Sequence, residues 1–369
     1  MAELKTTIGG VKLKNPFILA SGPLSYDGNA ILRAHRAGAG AVVTKTISRV
    51  SAVNPVPHIA KVGNGLINGE KWSDLLCEQW IEREIPLAKD GGAIVIASLG
   101  LALQDVAVLA RPIERAGADA LEVVSYDGEA LLPMVREAVQ QVDIPVFAKV
   151  SANWPDVVDI ARACLANGAE VITAIDSIGP ALRIDVEKRA PVLGSGYGWL
   201  TGEAILPISL RIVSEIALAA EASIVGTGGI WNVDEIVEMM MAGAHAVGIC
   251  SLAILRGVTI FSDLAEKLSA RLEELGYCSL NDVIGAALPS LRGYERSDSG
   301  LPTAIDAERA SFVLNEERCV DCGICVQVCP YQARRSPRQV DPSACRLCGL
   351  CASACPHEAL QIVAERVDR

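Results

Sequence analysis

The chain runs to 369 residues, more than one typical domain, and its net charge of −11 argues against a nucleic-acid surface, which needs clustered Lys and Arg to neutralise phosphates. Of its residues 51% are hydrophobic but only 4% aromatic, so the core is one of Val, Ile, Leu and Ala, which favours an α/β fold with a helix-covered parallel sheet over a sandwich. Met1 to Lys5 lack the apolar core of a signal peptide, and the apolar stretch from Ala93 to Ala110 is interrupted by Gln104 and Asp105, so a soluble, cytoplasmic chain with no membrane partner is expected.

Thr6 to Leu13 reads as a small hairpin turning at Gly9 and Gly10, placed to plug the N-terminal end of a barrel. From Pro16 to about Val258, short β-branched runs alternate with helical stretches. The predicted strands are Phe17 to Ala20, Ala41 to Thr44, Ala93 to Ser98, Ala120 to Val124, Val146 to Val150, Val171 to Ile175, Ser223 to Gly226 and Ala246 to Ile249. Such repetition predicts a closed (β/α)8 TIM barrel. The alternative, an open doubly wound sheet, shows its Gly-rich phosphate turn early, whereas here the clearest pair, Gly228 and Gly229, follows the seventh strand. Loops after the last two strands of a barrel commonly hold a phosphate, which makes Gly228, Gly229, Cys250 and Ser251 candidate phosphate binders. Lys149 ends an otherwise apolar strand, where an unpaired ammonium is costly; it either meets an anion or snorkels to solvent.

A last barrel helix is expected from Ile260 to Leu275, and Tyr294 to Ser311, rich in charge, Gly and Ser, marks a domain boundary. The expected organisation is a barrel over 1–296, a linker over 297–311 and a small α+β domain over 312–369. In that last part Cys319, Cys322, Cys325 and Cys329-Pro330 form a C-x2-C-x2-C-x3-C-P run, and Cys345, Cys348, Cys351 and Cys355-Pro356 repeat it. This is the spacing of bacterial two-cluster ferredoxins, in which the fourth cysteine of each run ligates the other [4Fe-4S] cluster. One cluster is therefore assigned to Cys319, Cys322, Cys325 and Cys355, the other to Cys345, Cys348, Cys351 and Cys329. Zinc knuckles call for neither the third Cys nor the Pro, and a disulfide scaffold does not repeat metal-type spacings. Cys77, Cys164, Cys250 and Cys278 are scattered and start as packing residues.

The segments Asn15-Pro-Phe-Ile-Leu-Ala-Ser-Gly22, Thr44-Lys-Thr46, Asn54-Pro-Val-Pro57, Pro145-Val-Phe-Ala-Lys149, Leu200-Thr-Gly202, Gly226-Thr-Gly-Gly-Ile230 and Ala242-Gly-Ala244 carry a resemblance. The chain is similar, over nearly its whole length, to the FMN barrel of the dihydroorotate and dihydropyrimidine dehydrogenases followed by the latter's C-terminal ferredoxin domain. The connection Ile284-Gly-Ala-Ala-Leu-Pro289 makes the dihydropyrimidine dehydrogenase branch the closer. The resemblance implies FMN, with Lys45 and Lys149 against it, Lys149 stabilising negative charge on the reduced ring, and Ala20, Ser21, Gly22, Thr46, Ser98 and Gly202 completing its wall. It also places Asn68, Asp176 and Ser177 toward the substrate.

The chain departs from that family at the fourth strand. The family reads Asn-x-Ser-Cys-Pro there, the Cys exchanging a proton with substrate; here Glu122-Val-Val-Ser-Tyr-Asp-Gly128 puts Val124 at the Asn position and Asp127 at the Cys position. A helical pattern starts almost at once at Ala130, leaving no room for the family's long lid. Asp176 replaces a family Asn, and Gly69-Glu-Lys-Trp72 departs from the usual pattern beside Asn68. These changes argue against pyrimidine reduction, because amide contacts read a pyrimidine ring. Tyr126 or Asp127 is the expected proton donor. The plainer readings are a packed Tyr126 and an Asp127 that caps the next helix. Trp72, Trp154, Trp199 and Trp231 all come after predicted strands, where they wall the pocket or pack loops.

The function expected is an FMN and iron–sulfur oxidoreductase acting on a polarised C=C bond of a small unsaturated substrate, its electrons relayed by the two clusters. Gly194-x-Gly196 follows no strand and opens no helix, so electrons are expected from a ferredoxin or from a separate NAD(P)H-binding flavoprotein subunit, in a homo- or hetero-oligomer. The alternative from another class is a non-catalytic electron-transfer subunit of a larger redox complex. A barrel synthase acting on a phosphate ester leaves the clusters unexplained.

Overall fold

In the computed structural model, which describes residues 2–291 and 310–364, eight parallel strands close into a barrel in chain order. They are β1 (Phe17–Leu19), β2 (Ala41–Val43), β3 (Val95–Gly100), β4 (Ala120–Val124), β5 (Val146–Val150), β6 (Val171–Ala174), β7 (Ser223–Thr227) and β8 (Ala246–Ile249). Each coincides with a predicted strand to within two residues. Side chains alternate along a strand, so Ile18, Val43, Ile96, Ala120, Phe147, Val171, Val225 and Ala246 share the inner face and form one apolar layer. The hairpin Thr6–Ile8 and Val11–Leu13 adds Ile8 and Leu13 to that layer, as a plug. Its turn needs Gly9, whose φ is +48° and where a Cβ would stand 2.7 Å from Val171 Cγ2.

Two residues beyond that layer the inner face turns polar: Glu122 follows Ala120, Lys149 follows Phe147, Thr173 follows Val171 and Thr227 follows Val225. The period of two thus carries Lys149 into the barrel rather than out to its helices. Helices cover the outside with apolar stripes; Gly128–Gln141, for example, buries Leu131, Met134, Val135 and Ala138, one face of a helix. The last long helix is Ile260–Glu274.

Two excursions build a sheet that has no counterpart among the predicted strands. Ile59–Val62 and Gly65–Asn68, between β2 and β3, pair antiparallel with Gly198–Gly202 and Ile178–Ala181, between β6 and β7. Trp199 registers with Asn68 and Thr201 with Leu66, so this sheet carries residues of both excursions to the C-terminal mouth of the barrel.

Contacts divide the chain into two compact units, Met1–Arg292 and Gly293–Arg369. Of the linker expected over 297–311, residues 297–309 lie outside the described residues. Its last two residues correct the boundary: Ala310 and Ser311 open a strand, Ala310–Leu314, which pairs antiparallel with Leu360–Ala364. Within the second unit two short helices, Ile324–Gln327 and Leu350–Ser353, follow Gly323 and Gly349 at φ +73° and +83°, and bury Cys325 and Cys351 beside Leu360. Among the described residues no helix is long and apolar enough to cross a membrane.

Candidate functional site

At the C-terminal ends of the barrel strands lie two adjoining cavities. The inner one brings together Ala20, Ser21 and Gly22 after β1, Gly228 and Gly229 after β7, Cys250 and Ser251 after β8, and Gly202 of the excursion sheet. The outer one, about 390 Å³, adds Lys45, Thr46 and Tyr126, with Trp72 and Trp199 as further aromatic wall. Lys149, Asn68, Asp176 and Ser177 line both. Ser98 does not: fully buried, it reaches the wall only through Thr46, hydroxyl to hydroxyl at 3.0 Å. Asp127 also stands outside the lining, because its carboxylate caps the helix Gly128–Gln141, accepting from the Glu129 and Ala130 N–H groups at 2.8 and 3.2 Å. That helix begins at once, which is why no lid follows β4.

The two lysines are held differently. Lys149 Nζ lies 3.4 Å from Asp176 Oδ1, and the fully buried Glu122 stands on the neighbouring strand. Burial alone would depress Lys149, but the Asp176 and Glu122 carboxylates outweigh it and bring the ammonium to about 12. Lys45 Nζ meets Glu70 Oε2 at 2.5 Å, yet burial prevails over Glu70 and its pKa is lowered. Glu122 in turn is pushed up by burial; Thr173 Oγ1 donates to its Oε2 at 3.0 Å, while Oε1 has no partner among the described residues. Snorkelling of Lys149 to solvent does not occur.

Tyr126, 62% exposed, stacks on Trp199, ring centroids 6.0 Å apart, and partial burial of its phenol, then Asp176, raise it above the usual value. The phenol therefore keeps its proton at neutral pH. Trp154 and Trp231 serve packing: Trp154 Nε1 donates to the Tyr126 carbonyl at 3.1 Å, and Arg256 lies 4.6 Å over the Trp231 ring. Burial holds the Cys250 thiol up at about 11, so it stays neutral, 3.9 Å from the Ser21 carbonyl.

In the second unit the cysteines gather across the two runs. Cys319, Cys322, Cys325 and Cys355 surround one small cavity; Cys345, Cys348, Cys351 and Cys329 surround the other. Eight thiols in two apolar cages, four to a cage, are the donor set a pair of iron–sulfur cubes needs.

The sequence profile described as dihydroorotate dehydrogenase matches residues 3–272. The chain belongs to the dihydroorotate dehydrogenase family. As such it is a flavin oxidoreductase of the class acting on CH–CH bonds. A profile described as a 4Fe-4S binding domain matches 312–335 and again 338–361, so a ferredoxin domain follows the barrel. Similar curated proteins include the dihydroorotate dehydrogenase B (NAD(+)) catalytic subunit of Thermoplasma acidophilum, 33% identical over 303 residues, which cover 78% of this chain and 100% of the relative. The corresponding subunits of Pyrococcus abyssi (32% over 301 residues, 77% of this chain and 99% of the relative) and Methanosarcina acetivorans (34% over 293, 75% and 93%) are alike.

The family's FMN fits the inner cavity by its donor chemistry. Gly228 and Gly229, at φ +113° and +94°, point backbone into the cavity, and their N–H groups find no backbone acceptor among the described residues. A Cβ at Gly229 would collide with the backbone of Leu206, so no other residue keeps this turn. With Ser251 they give the cavity, whose lining holds a single carboxylate, Asp176, donors suited to a phosphate. Ile205, Ile230, Ile249 and Ile254 line the rest. What sequence reasoning misses in this family member is the counter-charge: by sequence, Glu70 and Glu122 stand out only as parts of altered segments. The one available signal for Glu122 is a carboxylate at an inward strand position.

The capping of Asp127 separates two roles by substitution. Asp127→Ala is expected to cost about 1 kcal/mol of stability, and Asp127→Asn, which caps equally well, almost none. Urea unfolding of the barrel checks this; a large loss of turnover in the Asn variant with stability intact would return Asp127 to the chemistry.

Proposed function

We propose that this protein reduces or oxidises a polarised C=C bond in a small unsaturated substrate, using FMN held from the inner cavity into the outer one and two [4Fe-4S] clusters in the crossed cysteine cages. The observation that carries this reading is Lys149, a cation held charged where a glycine-rich, phosphate-suited cavity opens into an aromatic-walled one. FMN, when bound, supplies hydride exchange with the substrate carbon and one-electron exchange with the clusters. Lys149 stabilises the negative charge that reduction places beside it, with Asp176 and Glu122 keeping the ammonium charged. Ala20, Ser21, Gly22, Thr46 and Gly202 hold the ring, and Gly228, Gly229, Cys250 and Ser251 its phosphate.

Asn68, Asp176 and Ser177 face the substrate. Asn68 Oδ1 accepts from the Glu70 N–H at 2.7 Å, which leaves its amide N–H groups for a substrate carbonyl. Val124, inward beside Lys149 in the β4–β5 ladder, offers no amide, so the pocket reads a pyrimidine with fewer polar contacts than that branch of the family uses. The ring stack of Tyr126 and Trp199 favours a flat, conjugated substrate. Electrons come from a ferredoxin or a separate NAD(P)H-binding flavoprotein subunit; that the relatives are by name NAD(+)-linked catalytic subunits favours the second.

The test is anaerobic reduction of the as-isolated protein, followed by reoxidation with unsaturated amides, acids and thioesters. Reoxidation by none of them, with rapid reoxidation by a protein partner, would favour an electron-transfer subunit instead. With a verified substrate, Tyr126→Phe is expected to slow flavin reoxidation by about a hundredfold while leaving cluster-driven reduction unchanged, as loss of a general acid does. Unchanged reoxidation in stopped flow moves the proton to another donor or to water.

A further inference from the structure

The two cysteine runs share one spacing, with a Gly after the second Cys, a Pro after the fourth and an Ala three residues beyond that Pro. Setting Cys319 on Cys345 sets Cys329 on Cys355, Pro330 on Pro356 and Ala333 on Ala359; the next pair is Arg334 on Leu360. Both side chains are buried, at 4% and 5% exposure. Leu360 lines the cage of Cys319, Cys322, Cys325 and Cys355. Arg334 lines the cage of Cys329, Cys345, Cys348 and Cys351. A guanidinium thus stands where the internal repeat puts a leucine.

Nothing among the described residues neutralises it. Arg334 Nη1 donates to the Pro337 carbonyl at 2.6 Å, the guanidinium lies 5.0 Å from the Phe312 ring centroid, and Nη2 has no partner. Among the described residues no carboxylate lies within ion-pair distance of it. A buried, unpaired cation is costly, and is kept where an anion answers it. A four-iron cube held by four thiolates is such an anion, and it gains one further negative charge when it accepts an electron.

We propose that Arg334 makes the two clusters inequivalent, setting the cage of Cys329, Cys345, Cys348 and Cys351 at the higher reduction potential. The step concerned is the gain of one electron by that cluster, with no bond made or broken. A fixed cation stabilises the reduced state over the oxidised one, and burial strengthens the effect because little water screens it. The cluster packed on Leu360 feels Arg334 only at Cys325, from outside its own lining, and so has less help. The first electron to enter the domain therefore rests in the Arg334 cage. Arg346 also borders that cage but is exposed, so solvent screens most of its contribution.

The inference rests on the two-cluster reading, and iron content tests that reading first. In an anaerobic EPR-monitored redox titration of the full chain, reduced with dithionite, the native protein should show two separate one-electron steps. Arg334→Leu, which restores the repeat, should shift the upper step down by tenfold or more in the ratio of reduced to oxidised cluster, 59 mV for a one-electron couple, and leave the lower step nearly in place. Arg334→Lys should hold the upper step, and Arg334→Gln should lower it, which decides the matter if the Leu variant fails to assemble. Two unmoved steps, an equal fall of both, or movement of the lower step alone would each overturn the proposal. Loss of iron-bound signal in the native protein would overturn the cluster reading instead.

Discussion

Lys149→Met is expected to lower the reduction potential of the flavin and to slow its reduction by about a hundredfold or more, the usual penalty for removing a fixed charge that a developing anion needs. It should also destabilise the barrel. Breaking a buried ion pair from one side costs about 3–5 kcal/mol, because the partner is left charged and unanswered. Two features hold the cost below that range here. Asp176 is 35% exposed, so water screens its share, and Glu122, already pushed up by burial with Lys149 as its main counterweight, can take a proton instead. The double variant Lys149→Met with Glu122→Gln should therefore recover stability without recovering the potential. Urea unfolding and an anaerobic potentiometric titration, run on both variants, separate the two effects. If the single variant leaves potential, rate and flavin occupancy unchanged, Lys149 has no part in the chemistry.

The barrel is legible in the sequence because its strands are continuous β-branched runs, each followed by a helix, and burial on both faces leaves such runs few alternatives. Lys149 is legible for the same reason: two residues after Phe147 on an inward face, an ammonium has to find an anion. Which anion is not legible. Asp176 reaches Lys149 only because β5 and β6 are neighbours, with Thr173 registered on Lys149, and Glu122 only because β4 flanks the other side. Glu70 reaches Lys45 by riding on the excursion strand Gly65–Asn68, whose few residues show neither a clear period nor a long apolar run. Non-local pairing of short strands leaves almost no mark in a local pattern, which is why the whole excursion sheet escapes a reading of the sequence.

Tyr126 and Asp127 show how adjacent residues part company once a helix begins between strand and loop. Asp127, at the junction, takes the capping position that its residue type suits, and its carboxylate turns to the helix N–H groups. Tyr126, one residue earlier, turns to the cavity and stacks on a tryptophan from a different excursion. Each of the two plain readings of this segment thus describes one residue: the cap Asp127, an aromatic contact Tyr126. Only the second leaves a polar side chain lining the outer cavity.

Cys329→Ala is expected to destroy the cluster of the other run, not its own, since the structure sets Cys329 in the cage of Cys345, Cys348 and Cys351. Iron analysis of double variants reads this directly. The native chain should hold about eight non-haem irons, two cubes of four. Cys329→Ala combined with Cys345→Ala strikes one cage twice and should leave about four irons, no worse than Cys345→Ala alone. Cys329→Ala combined with Cys319→Ala strikes both cages and should leave almost none. Flavin content of the barrel, unchanged throughout, shows that the chain has folded. The reverse pattern, with the Cys319 pair keeping about four irons and the Cys345 pair losing all, would mean that each run holds its own cluster and that the crossing is wrong. Zinc in place of iron would remove the electron-transfer role altogether, because zinc has no redox chemistry to offer the flavin.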